Sequence, residues 1–195
     1  MTSNLRVAKE LKKELGRRRM KFVHVTSVDA IPAYITVVIS TRSECKSISS
    51  SQVLIKEDFR SITSLVDRAY ELSVGKNRCK VATVSIDPGK RVGVAFLCDD
   101  LLTRTEVFYA KQDVVKEVEL FLKSHQCKNS RVMVGAGAPE HRDELLRHIR
   151  NISVPNLKIY LVDENSSREN VYISPNLSKD ESSAISISSR RGHQV

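Results

Sequence analysis

The chain has no tryptophan, only five tyrosines and five phenylalanines, and no Cys-x-x-Cys pair among its four cysteines. With so few flat rings, a base-stacking platform for single strands is a poor fit. Cys45, Cys79, Cys98 and Cys127 lie far apart, which excludes a zinc ribbon or a secreted disulfide framework and favours a reducing cytoplasm. No apolar run approaches the roughly 18–20 residues of a membrane span, and none has the form of a signal peptide, so no membrane partner is expected. What the sequence does contain is ordinary for a folded protein: 195 residues, 41% hydrophobic and 28% charged, enough for one medium domain or two small ones. Leu, Ile and Val occur throughout and both charge signs are interspersed, unlike a disordered chain. The net charge of +9 points weakly toward polyanions.

The turn-rich segment Ser73-Val-Gly-Lys-Asn-Arg78 divides a small α/β unit, residues 1–75, from a more regular part, residues 79–195. In the first part, Leu5, Ala8, Leu11 and Leu15 recur at helical spacing and predict a basic amphipathic helix from Asn4 to Arg19. Its charged face is a solvated surface or a phosphate-tracking one. Strands are expected at Lys21–Val25 and Tyr34–Ser40, and a second helix over Phe59–Leu72. The second part predicts strands at Val81–Ile86, Val92–Leu97 and Thr105–Tyr109, then a helix through Val114–Leu122. A strand at Arg131–Val134, a helix from Pro139 to Ile149, a fifth strand at Leu157–Val162 and a closing helix from Ser178 follow. Three strands in meander followed by strand–helix alternation make a mixed five-stranded sheet flanked by helices.

The stretch Val84-Ser-Ile-Asp-Pro-Gly-Lys-Arg-Val-Gly-Val-Ala95 is the most informative. It places a carboxylate, Asp87, at the end of a buried strand, with Pro88-Gly89 predicting a type II turn in which Gly89 takes positive φ. Gly89 and Gly93 leave room for a close backbone or phosphate approach. Two further acidic pairs stand at element ends, Asp163-Glu164 after the last strand and Asp180-Glu181 at the start of the last helix. If these converge at one sheet edge, carboxylates about 4 Å apart repel by roughly 4 kcal/mol per pair at an effective dielectric of 20. Protons or cations would have to offset that repulsion, and hard oxygen donors select Mg²⁺ or Mn²⁺.

The block Ile86-Asp-Pro-Gly-Lys-Arg-Val-Gly-Val-Ala95 resembles the first motif of the RNase H-like nucleases of the Holliday junction resolvase group, RuvC and especially YqgF. Leu161-Val-Asp-Glu164 resembles the YqgF pattern that closes the later strand, and Lys179-Asp-Glu-Ser-Ser-Ala184 resembles the last motif. The resemblance spans about residues 80–191 and implies an RNase H-like sheet with Asp87, Glu164 and Asp180 as catalytic metal ligands. Glu181 is held in reserve: Ser178-Lys-Asp-Glu181 is a capping-box pattern, which gives Glu181 a structural task, whereas Asp180 shares a helix face with Ala184. Two departures stand out. Gly135-Ala-Gly-Ala-Pro139 lacks the acidic residue of RuvC and matches the YqgF branch instead. Asn165 replaces the basic residue that follows Val-Asp-Glu, with Arg168 a substitute from further on.

The implied activity is Mg²⁺- or Mn²⁺-dependent hydrolysis of phosphodiesters in structured nucleic acid, either junction-like DNA or precursor RNA, with a homodimer suiting symmetric junction cuts. Lys90, Arg91, Arg168 and Lys179 would position phosphates, and Arg190 and Arg191 would extend that basic surface or form a frayed end. One rival, an actin-type or Hsp70-type ATPase, needs a second lobe for which the chain is too short. The other is a nucleic-acid-binding or interaction module on the same fold without catalysis.

Overall fold

The structure, a computed structural model, describes residues 1–48, 52–125, 127–163 and 177–195. The chain divides into two compact units, Met1–Arg78 and Cys79–Val195. No helix among the described residues is long and apolar enough to cross a membrane.

The first unit is built on helices α1 (Leu5–Arg17) and α2 (Ile62–Ser73) and two short parallel strands, β1 (Val38–Ser40) and β2 (Val53–Ile55). Asn4 caps α1 by accepting from the Arg6 and Val7 amides, and Ser61 caps α2 through the Ser64 amide. Val7 and Leu11 pack on Leu65 and Val66. A buried ion pair, Arg18 Nη1 to Asp67 Oδ1 at 2.6 Å, clamps the two helices beside that core. Helix α2 ends in a Schellman motif: Gly75 has φ +82°, its amide donates to Leu72 O at 3.0 Å, and the Lys76 amide donates to Glu71 O at 2.8 Å.

Lys21–Val25, expected as a strand, is irregular, and Val53–Ile55 is a strand not foreseen. The cause lies in the first two residues. The Met1 amino group donates to Ile39 O, the Thr2 amide donates to Val25 O, and His24 Nε2–H donates to Thr2 O. This dipeptide occupies the space in which Lys21–Val25 would have laddered against β1.

The second unit is a mixed six-stranded sheet of order β5-β4-β3-β6-β7-β8, flanked by helices. Its strands are β3 (Val81–Asp87), β4 (Val92–Cys98), β5 (Leu101–Phe108), β6 (Asn129–Gly135), β7 (Leu157–Val162) and β8 (Gly192–Gln194). β3, β6 and β7 run parallel, and β4, β5 and β8 are antiparallel to their neighbours. The expected five strands are thus corrected to six. The chain end is no frayed tail but an edge strand whose Gly192, His193 and Gln194 pair with Val162, Leu161 and Tyr160.

Alternation sorts the sheet's side chains onto two faces. Val84, Ile86, Val94, Phe96, Val132 and Val134 pack under α3 (Lys111–His125) and α4 (Pro139–Ile149). Ala95, Leu97, Met133 and Val162 face α5 (Lys179–Ser188), meeting Ala184, Ile185 and Ile187. Arg104 is buried on the Phe96 ring, its guanidinium 3.6 Å from the centroid, and bridges Glu106 and Glu117. All four cysteines are free. Cys127 donates to Cys79 O at 3.2 Å, and its hydrogen bond with the Cys79 thiol, together with burial, pushes Cys79 above the usual thiol range.

Glu44 ties the first residues of the chain to the turn after β1. It accepts from Ser3 and Thr2 and from Thr41, which together lower its pKa to about 2 from 4.5. A depressed carboxyl contributes stability above its unfolded pKa and loses it as pH falls through the folded one. The first unit is therefore expected to lose stability between about pH 4.5 and 2. Glu44→Gln should flatten that part of the pH profile in urea denaturation monitored by circular dichroism. An unchanged slope in the variant would exclude Glu44 as its source.

Candidate acidic site at the carboxyl end of strand β3

Asp87 is the last residue of β3 and lies directly opposite Gly93 of β4. Directly opposed residues of an antiparallel pair point to the same face. Asp87 therefore shares the α5 face with Gly93, while its neighbour Ile86 enters the core on the other side. At Gly93 the sheet and helix almost touch. A Cβ built there would lie 2.1 Å from the Asp180 carbonyl oxygen and 3.0 Å from Asp180 Cβ. The missing side chain lets the first turn of α5 rest on the β4 backbone, which brings Asp180 and Asp87 to the same glycine.

Two contacts hold that first turn. Ser178 and Glu181 form the capping box: the Ser178 side chain accepts from the Glu181 amide, and the Ser178 amide donates to Glu181 Oε2 at 2.9 Å. The other oxygen, Glu181 Oε1, accepts from Thr105 Oγ1 of β5 at 2.6 Å. Glu181, held in reserve as a ligand, thus has one oxygen on its own helix cap and the other on the sheet. Asp180, half-buried, forms an ion pair with Arg91 Nε at 3.0 Å.

The β3–β4 connection differs from its expected form. Gly89 does not have positive φ, so Pro88-Gly89 is not a type II turn. Pro88 is instead buried, its Cδ 3.3 Å from where a Cβ of Gly135 would stand, and the loop lifts Lys90 and Arg91 into solvent. Lys179 is exposed beside Asp180, so three cations border the two carboxylates.

The remaining expected residues part company. Asp163, after the end of β7, is exposed, and Glu164 and Arg168 lie outside the described residues. Arg191 is exposed, but Arg190 is not on the basic surface: it is 8% exposed, with Nη1 donating to Asp163 O at 3.4 Å. Its place at the start of the turn into β8 draws it under the sheet edge. Among the described residues, no group of three His, Cys, Asp or Glu side chains is arranged to hold a metal ion.

Tyr109, one residue beyond β5, was not singled out as a site residue. It is 78% exposed, with the Arg91 guanidinium 6.0 Å from its ring centroid. The β4–β5 register signals this pairing, because Val92 opposes Phe108 and the next pair outward is Arg91 and Tyr109.

The chain matches no protein-family model and no curated protein.

Gly93→Ala is expected to destabilise the protein by about 1–3 kcal/mol, because the methyl meets a helix carbonyl that cannot turn aside. Gly135→Ala provides the control. Its methyl meets the flexible end of Ile187 at 2.9 Å, so it should cost clearly less. Guanidinium melts of both variants test the order, and equal midpoints would show that α5 does not rest on Gly93.

Proposed function

We propose that the Cys79–Val195 unit is an RNase H-like domain of the RuvC/YqgF type that hydrolyses phosphodiester bonds in structured nucleic acid with Mg²⁺ or Mn²⁺. The observation that carries the proposal is that Asp87 pairs with Gly93 and the first turn of α5, at Asp180, rests on that same glycine, at the end of the sheet where β3 stops and basic residues begin. Hard carboxylate oxygens from these two residues suit a small divalent cation, and the resemblance adds Glu164 as the third ligand. Such an ion lowers the pKa of bound water and stabilises the leaving oxygen of a phosphodiester. Lys90, Arg91 and Lys179 would hold the phosphates without reading sequence. Two symmetric cuts in a junction would take two copies of the chain.

One contact favours a second reading, a nucleic-acid-binding module without catalysis. Arg91 already neutralises Asp180 at 3.0 Å, and an ion pair there satisfies the carboxylate without a metal.

Cleavage of labelled four-way junction, duplex DNA and structured RNA in Mg²⁺ or Mn²⁺ separates the two. A nuclease should cut one of them, with activity falling at least about a hundredfold in Asp87→Asn and in Asp180→Asn. Salt-sensitive binding of the same substrates, with no cutting by the wild type, would replace the nuclease with the binding module.

A further inference from the structure

The first unit contains a pocket of about 410 Å³ that plays no part in the proposed hydrolysis. Small-molecule sites occupy roughly 300–1,000 Å³, mostly apolar with a few placed polar groups. This one fits that description. Ala8, Leu11 and Leu15 of α1 form one wall, the irregular segment around Phe22 and the stretch through Ile35 form the other, and Ala69 of α2 closes it. The irregular Lys21–Val25 segment lines the pocket along its whole length, together with Met1 and Thr2, which stand between it and β1.

Two observations indicate what the gap accepts. Three of the seven large hydrophobic side chains exposed among the described residues, Phe22, Val23 and Tyr34, line it. Apolar surface is therefore concentrated here rather than scattered. The charged groups around it are also of one sign. Lys12, Lys21, the Met1 amino group and His24 line the pocket, and no Asp or Glu does. Both lysines are exposed and have no ion-pair partner among the described residues. His24 spends Nε2–H on the Thr2 carbonyl, which leaves Nδ1 as an acceptor. The Met1 amine is engaged with Ile39 O. The two lysines are thus the cations left to meet a ligand.

We infer that this pocket binds a small amphiphilic anion, an apolar body carrying one carboxylate, with the body among Leu11, Leu15 and Ile35 and the acid group met by Lys12 and Lys21. The apolar walls supply affinity and the lysines supply the choice of sign.

Calorimetric titration of the full chain with dodecanoate, and with dodecyltrimethylammonium as a cation of the same tail, tests this directly. Both are used below their micelle concentrations. Dodecanoate should bind saturably at one per chain, about tenfold or more tighter than the cation. Reversing both charges in Lys12→Glu/Lys21→Glu should abolish or invert that preference, and the exposed positions leave the fold intact by circular dichroism. Amide shifts in ¹⁵N spectra should localise to residues 20–25 and 34–39. Unsaturable uptake, equal affinity for the two amphiphiles, a preference unchanged in the double variant, or shifts elsewhere would each overturn the assignment.

Discussion

The second unit is organised by how closely helix α5 approaches the sheet at Gly93. A helix packed on a sheet is normally held off by side chains on both. Here the side chain is missing from β4 at Gly93, and the small Ala95 and Ala184 meet further along, beside the larger Leu97 and Ile185. The capping box fixes where the helix starts, and the Glu181–Thr105 hydrogen bond fixes it laterally over β5. With both settled, Asp180 has little freedom of position. Asp87 has as little, because the β3–β4 register sets it opposite the same glycine. Two residues 93 positions apart in sequence, Asp87 and Asp180, are thus brought to the same glycine by backbone contacts.

Much of this was legible in the residues because the signals were local. Pro139 at the first position of α4, the alternating apolar strands of the second unit, and Ser178 with Glu181 three residues on each carry a short-range physical cause. What was missed depends on partners distant in sequence. Lys21–Val25 has strand composition, yet Met1 and Thr2 take the hydrogen bonds it needed. β8 is three residues following two arginines, a composition that reads as a tail until β7 offers it an edge. Arg190 reads as a surface cation, and only the return of the chain into β8 buries it. Gly89 follows a proline, but Pro88 is packed against the β6 end at Gly135, and that tertiary contact overrides the turn its dipeptide favours.

The two units solve the problem of a stable interior differently. The second buries a continuous apolar layer between sheet and helices, from Val84 and Phe96 to Phe121 and Leu145. The first has a two-stranded sheet, too small to bury much by itself, and relies on polar ties at its margins. The Arg18–Asp67 pair joins its helices, and Glu44 gathers Thr2, Ser3 and Thr41. A buried pair of this kind costs desolvation on both partners, so its worth lies in geometry more than in net stability. Such ties fix positions without filling space, and the open pocket follows from that.

The order of the six strands also determines how copies of this unit can meet. A sheet invites another sheet at its free edges, where unpaired amides and carbonyls form a template. At one edge stands β8, three residues long, which gives an incoming strand little length to follow. At the other, β5 is eight residues long, but Arg104 and Glu106 lie along it, bound to each other and to Glu117 of α3. One edge is too short to extend and the other carries charge already spoken for. Open-ended stacking through the sheet is disfavoured at both.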